Sequence, residues 1–496
     1  MIRPKPKVWQ RVCAELLGAT AISVVGLCAW PYTVDDAYIV ARYAVRVSRG
    51  LGYNFSAGPA TDGVTGPAWL LPGISAVRLG VDPVVAAKVV GLVCAVLAAW
   101  ISIRAQQSRA RGSVLAWLTL ALLACQPSFG GYATAGMETG AAALAVAVAS
   151  TAAAARPRPN AALLGLAVAA LAFVRPELAG VALSLLVTCS VRLGVRQALP
   201  AWALAGTGAV LVCAFRWHLS GNLLPLSWHA KAGSLRDGFE YSVRALPILT
   251  GGLGGLLALA GALLGQGRDR ARAASLLVHV ICVTLAGGDW MPGFRLFVPI
   301  LPQYAQLAAV GAERVWWRSR RSNLRGPRRL VLRRVSTCVA LGFACGVPLL
   351  DLALRIPEWR AAGEARERVG VEIATRLRHE SRRVALVDIG FLGYASDCDV
   401  IDLAGITDPE VAAMAGGHLD KHIPSPWLAT RAPDTVLLHS SLPPLAAEDG
   451  RLLRLHGYPV EMRIARSAWL QREFRVAALY PYAPGYHYVL LHRLPP

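Results

Sequence analysis

The first 354 residues alternate between long apolar blocks and short polar segments. A helix needs about 20 apolar residues to cross the hydrocarbon core of a bilayer, and the blocks are close to that length. The first block follows a basic start without a small-residue cleavage site, so we interpret it as an uncleaved span rather than a signal peptide. The pattern predicts an α-helical polytopic membrane protein with about eleven spans, near residues 12–30, 84–103, 113–127, 134–153, 160–174, 177–191, 198–217, 245–265, 273–287, 296–312 and 335–352.

Two neighbouring blocks, 160–174 and 177–191, are short for spans and meet at Arg175-Pro176-Glu177. Straight, lipid-exposed helices of this length would not cover a bilayer. One interpretation is a hairpin whose tip, with Arg175 and Glu177, lies in a polar cavity below the membrane surface, because charges at that depth face protein or water. The alternative is a simple loop tip among the lipid headgroups.

The polar, Gly-rich segment from Thr33 to Pro67 lies between the first span and the next apolar stretch, and it contains adjacent acids, Asp35 and Asp36. Residues 36–50 are predicted to form an amphipathic helix at the membrane interface. Its apolar face carries Ile39, Tyr43 and Val47, and its polar face carries Arg42, Arg46 and Arg49. After a Gly- and Pro-rich loop, residues 67–80 predict a short, half-embedded helix. We expect residues 31–83 to form one outer loop.

The last 142 residues have a different pattern. The segments VALVDIGFLGY, DVIDLAGI and DTVLLHS predict strands, and EARERVGVEIATRLRHE predicts a helix. This alternation favours a small, water-soluble α/β domain. The sequence therefore predicts two domains, a membrane domain over 1–354 and a soluble domain over 355–496.

The formal net charge of +21 first suggests nucleic-acid binding, but its distribution points to a membrane. With a cytoplasmic N-terminus, the predicted inner segments hold 23 Lys and Arg against two acids, and the rest of the chain is balanced. This is the positive-inside pattern of membrane proteins. We expect a bacterial inner-membrane protein with an extracytoplasmic C-terminal domain, no nucleic-acid partner, and a basic cluster from Arg314 to Arg334 that binds anionic lipid.

Cysteine and histidine spacing predicts neither a disulfide framework nor a metal site. Nine of the ten cysteines lie in or beside predicted spans, and only Cys398 lies in the C-terminal domain. The chain has no CxxC pair, and its histidines have no ligand spacing. We expect no required cofactor, with a divalent metal as an optional aid.

Asp35 and Asp36 are the candidate catalytic residues. An enzyme that transfers a sugar to a hydroxyl would use such a carboxylate as its general base. If the donor is a lipid-linked sugar phosphate, the leaving group is already an anion, so cations can replace the general acid. The alternative is a helix start, with Thr33 as the N-cap and the two acids favoured by the helix dipole.

The other outer segments supply candidate substrate-binding residues. Arginine and lysine suit phosphate oxygens, and the candidates are Arg42, Arg175, Lys231 and Arg295. Arg42 fits a solvated helix face equally well. Glu138 and Asp289 are lone acids that would hold a cation, a sugar hydroxyl or an arginine. Glu177 at the hairpin tip and His229 beside Lys231 complete the set.

Six segments, in this order along the chain, resemble the GT-C family of polyprenyl-phosphate-dependent glycosyltransferases. They are DDAYIVARYAVRVSRGLGYNFSAGPATDGVTGPAW, AGMETG, FVRPE, GNLLPLSWHAK, GGDWMPGFRLFVPILP and DIGFLGY followed by VIDLAGITDPEVA. The pattern is most similar to the branch of the mycobacterial-type terminal arabinofuranosyltransferases. Two positions depart from it: Thr61-Asp62-Gly63 stands where the family often has Val-Glu-Gly, and residues 226–231 stand where it has Asn-Thr-Tyr-Tyr-Ala-Lys.

The resemblance implies a GT-C fold with a catalytic first outer loop and a soluble outer domain. It implies that Asp35 is the base, with Asp36 beside it, and that transfer from a polyprenyl-phosphate monosaccharide inverts the anomeric centre. We expect a membrane glycosyltransferase that moves a sugar, arabinofuranose by this branch, to a cell-envelope glycan or glycolipid. The alternatives are a mannosyl or other pentosyl transferase and, from another class, a flippase for a lipid-linked sugar.

Overall fold

The structure is a computed structural model that describes residues 8–109, 111–230, 233–289, 291–318 and 327–495. The chain is mostly helical and ends in a domain that contains a β-sheet, which confirms the predicted fold class. Lys231 and residues 319–326 of the basic cluster lie outside the described residues.

The first sixteen helices cover the predicted membrane domain. They are α1 (Val8–Cys28), α2 (Asp35–Ser48), α3 (Leu70–Arg78), α4 (Pro83–Gln107), α5 (Gly112–Ala124), α6 (Pro127–Ala133), α7 (Thr139–Ala154), α8 (Ala161–Val174), α9 (Ala179–Leu193), α10 (Val195–Ser220), α11 (Leu226–Ala230), α12 (Leu235–Thr250), α13 (Leu253–Leu264), α14 (Gly267–Leu285), α15 (Leu301–Arg318) and α16 (Pro327–Ala365). Short 3₁₀ turns precede α3, α9 and α15.

The C-terminal part adds six helices and seven strands. The helices are α17 (Val371–Glu380), α18 (Ile389–Ser396), α19 (Pro409–Ala413), α20 (Ser425–Arg431), α21 (Pro459–Arg466) and α22 (Ala468–Glu473). The strands are β1 (Arg383–Leu386), β2 (Asp399–Asp402), β3 (Thr435–Ser440), β4 (Leu445–Ala446), β5 (Leu452–Arg454), β6 (Phe474–Ala483) and β7 (Tyr486–Arg493).

Each predicted span contains helix, but not every helix is long enough to cross a bilayer. Among the described residues, four helical segments are long and apolar enough, or six if two bent pairs each count as one span. The predicted span over 245–265 consists of two helices, α12 and α13, which meet at an angle of 87° and form either a broken span or a re-entrant loop. Gly251 and Gly252 both have positive φ there, a conformation that ends a right-handed helix. The total of eleven spans stays a prediction.

The chain divides into two compact units. The first unit comprises residues 1–30, 87–212 and 233–358 and holds most of the apolar helices. Helices α13 and α15 pack closely in this unit, since a side chain at Gly261 or Gly311 would overlap the backbone of the facing helix.

The second unit comprises residues 31–86, 213–232 and 359–496, so the first outer loop belongs to the same unit as the C-terminal domain. Its main sheet has the order β2-β1-β3-β7-β6. Strands β1, β2 and β3 are parallel, and β7 and β6 are antiparallel to their neighbours. The connection that leaves β1 leads to β2 on one side, whereas the connection that leaves β3 leads towards β6 on the other side. The two connections therefore diverge at the carboxyl ends of β1 and β3. Open α/β sheets bind ligands at such a point.

The two faces of this sheet are covered by different parts of the chain. Leu386, Leu437 and Leu490 pack in one core with α17, α18 and residues of the outer loop such as Tyr43 and Phe55. The alternate positions along the same strands pack in a second core with α20, α21 and α22. Successive side chains along these strands therefore point to opposite faces of the sheet, and both faces are buried. The outer loop completes one of the two cores.

Candidate functional site

Asp35 is the first residue of α2, and its carboxylate is held by the backbone of another helix. Its Oδ2 accepts a hydrogen bond from the N–H of Gly390, and its Oδ1 accepts one from the N–H of Phe391, each at 2.8 Å. These two N–H groups belong to the first turn of α18, where helix N–H groups lack an internal partner. The side chain of Asp35 thus caps α18 from outside.

The alternative interpretation of the two acids, a helix start with Thr33 as the N-cap, is wrong about the cap. Thr33 does not cap α2, because the residue before the helix is Val34 and no side chain caps it. Gly390 is required for the contact with α18, since a Cβ atom there would overlap the backbone and the carboxylate of Asp35. The segment VDIGF therefore supplies a glycine where the backbone of the C-terminal domain approaches the acid of the first loop.

The surroundings of Asp35 favour its protonated form. Burial, then the charge of Asp388, and to a smaller extent the charge of Asp36 raise its pKa to about 7, although the two N–H groups oppose this shift. At neutral pH the carboxyl is therefore about half ionised. A carboxylate with a pKa near the working pH is well matched to accept a proton in catalysis.

Asp388 was missed by the sequence analysis. It follows β1 and immediately precedes α18, at the carboxyl end of a parallel strand. It accepts hydrogen bonds from the hydroxyls of Tyr486 and Tyr488, the latter at 3.0 Å. Burial and the charge of Asp388 raise the pKa of both tyrosines, so their hydroxyls stay protonated and donate. The predicted strand VALVD is the signal that could have identified it.

Arg42 does not lie on a solvated face of α2, so the expected polar face is wrong at this position. Its side chain is buried and donates to the carbonyls of Phe55 at 2.6 Å, of Cys398 at 2.5 Å and of Gly393. Its guanidinium also lies over the ring of Phe55, 4.6 Å from the centroid. These contacts connect α2 to the rest of the outer loop and to the C-terminal domain. The assignment of Arg42 to the donor phosphate stays a prediction.

A buried ion pair that the sequence analysis missed holds residues 213–230 to the outer loop. Arg216 pairs with Asp62, and both side chains are at most 2% exposed. Arg216 also donates to the carbonyl of Thr65 at 2.6 Å, and the N–H of Leu226 donates to the carbonyl of Asp62 at 3.0 Å. The segment that carries His229, which is exposed on α11, is thereby fixed to the first loop.

The first unit contains the remaining described candidates as buried ion pairs. Arg175 Nε lies 2.9 Å from a carboxylate oxygen of Glu138 and 2.9 Å from one of Glu177. Arg295 pairs with Asp289 at 2.9 Å. Both lone acids thus hold an arginine, one of the options that the sequence left open. The tip of the hairpin between α8 and α9 is buried inside the protein at Arg175, which is 3% exposed.

The described candidates therefore fall into separate groups. Asp35 and Asp36 lie in the second unit with Asp388 and the two tyrosines, and Glu138, Arg175 and Glu177 form one cluster in the first unit. Within the described residues there is no group of three or more His, Cys, Asp and Glu side chains with the geometry of a metal site.

Comparison with known proteins gives a fold but little sequence similarity. A family described as "Domain of unknown function (DUF8728)" matches residues 357–490. No curated protein matches the chain. The crystal structure of ArnT from Cupriavidus metallidurans bound to undecaprenyl phosphate has a TM-score of 0.57 at 11% identity, with 97% of each chain covered. The apo structure of the same protein has a TM-score of 0.53 at 12% identity, again with 97% of each chain covered. The chain therefore has the GT-C fold of ArnT along nearly its whole length.

Proposed function

We propose that this protein is an integral membrane glycosyltransferase that moves a monosaccharide from a polyprenyl-phosphate donor to a cell-envelope glycan or glycolipid. The likeness to ArnT, one structure of which is bound to undecaprenyl phosphate, supports a polyprenyl-phosphate donor. The observation that carries the proposal is the environment of Asp35, an acid fixed by two backbone N–H groups with its pKa raised to about 7.

In the proposed reaction, Asp35 is the general base. Its carboxylate takes the proton of the acceptor hydroxyl while the oxygen of that hydroxyl attacks the anomeric carbon of the donor. The bond between this carbon and the phosphate oxygen breaks, and polyprenyl phosphate leaves with the electron pair. Each carboxylate oxygen keeps a lone pair beyond its bond to α18, so the two N–H groups orient the base without blocking it. Attack opposite the leaving group inverts the anomeric centre.

Cations are expected to stabilise the phosphate as it leaves. Arg42, Arg175 and Arg295 are the described candidates, and Lys231 is the further candidate outside the described residues. Arabinofuranose is the sugar that the resemblance favours, with mannose and other pentoses as alternatives. A divalent metal is optional in this scheme because fixed cations can supply the same stabilisation.

The experiment is transfer by the purified protein from a panel of polyprenyl-phosphate sugars to envelope glycan and glycolipid acceptors, with products measured by mass spectrometry. Asp35→Asn should lower the rate about 10²- to 10⁴-fold, the usual contribution of a general base. Asp82→Asn is the matched control, because Asp82 caps α4 through the N–H groups of Val84 and Val85 and asparagine caps equally well.

Two results would contradict the proposal. The first is an Asp35→Asn variant that keeps full activity. The second is a protein that consumes no donor but moves lipid-linked sugar across a liposome membrane, which would favour the flippase. If Asp35→Asn fails to fold, the pH profile of the unmodified protein decides, since kcat/KM should rise with pH through about 7.

A further inference from the structure

Five arginines from four separate segments of the first unit lie near one another, and two of them contact one acid. Arg109 follows α4, Arg156 follows α7, Arg192 lies in the last turn of α9, and Arg268 and Arg272 lie in the first turns of α14. The acid is Asp269. We call these five arginines the arginine cluster. They carry four more positive charges than Asp269 can neutralise, and neither the proposed reaction nor the sequence motifs use them.

Asp269 is fully engaged by the buried members of the arginine cluster. Arg109 binds both of its carboxylate oxygens, at 3.0 Å for Oδ2, and Arg272 lies 3.3 Å from Oδ1. The N–H of Gln266 donates to Oδ2 at 2.8 Å. The side chains of Arg109, Arg272 and Asp269 are at most 5% exposed. This buried group fixes the scaffold and leaves no carboxylate oxygen for the other arginines.

The other three arginines form no ion pair within 4 Å of an acid in the described part of the chain. Arg156 donates to the side-chain oxygen of Gln266 at 2.9 Å, and Arg192 donates to the carbonyls of Ala153 and Ala155. Arg268 is half-buried, and its Nε is fully buried without a hydrogen-bond partner among the described residues. Burial and the charge of Arg109 lower the pKa of Arg268 to about 10. A partly desolvated cation that has no ion-pair partner of its own favours the binding of an anion.

We propose that the arginine cluster binds the phosphate headgroup of an anionic membrane lipid. Guanidinium groups match phosphate oxygens with paired N–H donors. The helices that end at the cluster carry exposed apolar side chains suited to acyl chains, with Val191 81%, Val195 71% and Leu263 66% exposed. The positive-inside distribution places the cluster on the cytoplasmic side, where anionic lipids attract basic groups.

The test measures lipid binding by the full-length protein in neutral detergent, by native mass spectrometry. The probes are phosphatidylglycerol, phosphatidylcholine and inorganic phosphate. We expect phosphatidylglycerol to bind more tightly than phosphatidylcholine. Arg156→Gln with Arg268→Gln should weaken binding of phosphatidylglycerol roughly 25-fold, since each basic residue near an anionic surface contributes about fivefold. The matched control is Arg236→Gln with Arg244→Gln, which removes two exposed charges from α12.

Three outcomes would overturn the proposal. The first is equal affinity for the two lipids, and the second is an unchanged affinity for phosphatidylglycerol in the folded Arg156→Gln, Arg268→Gln variant. The third is inorganic phosphate that binds as tightly as phosphatidylglycerol, because this would indicate a site for free anions. If this variant fails to fold, Arg156→Gln alone replaces it, because Arg156 is exposed. Its expected loss is about fivefold.

Discussion

Asp35 and Arg175 are both inward-facing charges with two acidic neighbours, yet these neighbours have opposite effects. At Asp35 the charges of Asp388 and Asp36 add to burial and favour the protonated acid. At Arg175 the carboxylates of Glu138 and Glu177 compensate the guanidinium. Like charges leave a group ready to exchange a proton, whereas opposite charges fix it in one state. The first arrangement suits a base, and the second suits a structural ion pair.

The comparison also limits how Arg175 can serve the donor phosphate. The cluster of Glu138, Arg175 and Glu177 contains two acids and one base. A phosphate at Arg175 would therefore compete with two carboxylates that already lie 2.9 Å from the guanidinium. Arg295 pairs with Asp289 at 2.9 Å. A phosphate at Arg295 would likewise compete with the carboxylate of Asp289.

The largest expected effect is the loss of stability when the cation of the Arg175 cluster is removed. Arg175→Met leaves two carboxylates beside each other, one of them buried, and should lower the free energy of unfolding by about 3–5 kcal/mol. Thermal unfolding of the protein in detergent measures the loss.

The double variant Arg175→Met, Glu138→Gln is the control for this prediction. It removes the repulsion between the two acids, so part of the lost stability should return. A single variant as stable as the unmodified protein would show that the two glutamates do not depend on Arg175, and the contrast with Asp35 would fail.

The next effect concerns the backbone contact of Asp35. Gly390→Ala would place a Cβ atom inside the space that the backbone and carboxylate of Asp35 occupy. Moving α2 away from α18 should lower the free energy of unfolding by about 1–3 kcal/mol and reduce the rate of transfer. Gly342→Ala is the matched control, because a Cβ atom at Gly342 meets open space. An active, stable Gly390→Ala variant would mean that the contact between α2 and α18 does not position the base.

A third prediction concerns how stability and activity each depend on pH. The folded state keeps a proton on Asp35 up to about pH 7, whereas the unfolded chain releases it near its ordinary value of 3.8. The folded state therefore binds more protons in this window, and stability should fall as pH rises from about 4 to 7. Activity should rise over the upper part of the same window. Asp402, with a pKa raised by burial to about 6, adds to the fall in stability, so the contribution of Asp35 is the difference between the unmodified protein and Asp35→Asn.

The sequence predicted the elements of both regions but only part of the surroundings of Asp35. Apolar blocks and the strand-like segment VALVD are local signals, so most helices and strands were predictable. Residues 389–394, predicted as part of the same strand, instead belong to the helix α18 (Ile389–Ser396). The contact between Asp35 and Gly390 joins residues 355 positions apart, and no local pattern encodes it. The sequence likewise places Arg42 on a polar face, because two of the carbonyls that surround it, those of Gly393 and Cys398, come from segments far along the chain.

A fourth prediction separates the two acids that raise the pKa of Asp35. Asp388→Asn keeps the size of the side chain and removes its charge, so the pH at which activity rises should move down. Asp36→Asn should move it in the same direction by less, because the charge of Asp36 has the smaller effect. The pH profile of kcat/KM measures both shifts. An Asp36→Asn shift larger than that of Asp388→Asn would contradict the geometry of the site.

The smallest expected effect is at Glu177, the outer member of the Arg175 cluster. Its side chain is 23% exposed, against 4% for Glu138. Water screens a partly exposed pair, so Glu177→Gln should cost less than about 1 kcal/mol, whereas Glu138→Gln removes the better shielded partner and should cost more. Thermal unfolding of the two variants compares them directly. If Glu177→Gln lowered the stability more than Glu138→Gln, the charge of Arg175 would be compensated mainly by the more exposed acid. The contrast between a structural ion pair at Arg175 and an accessible base at Asp35 would then fail.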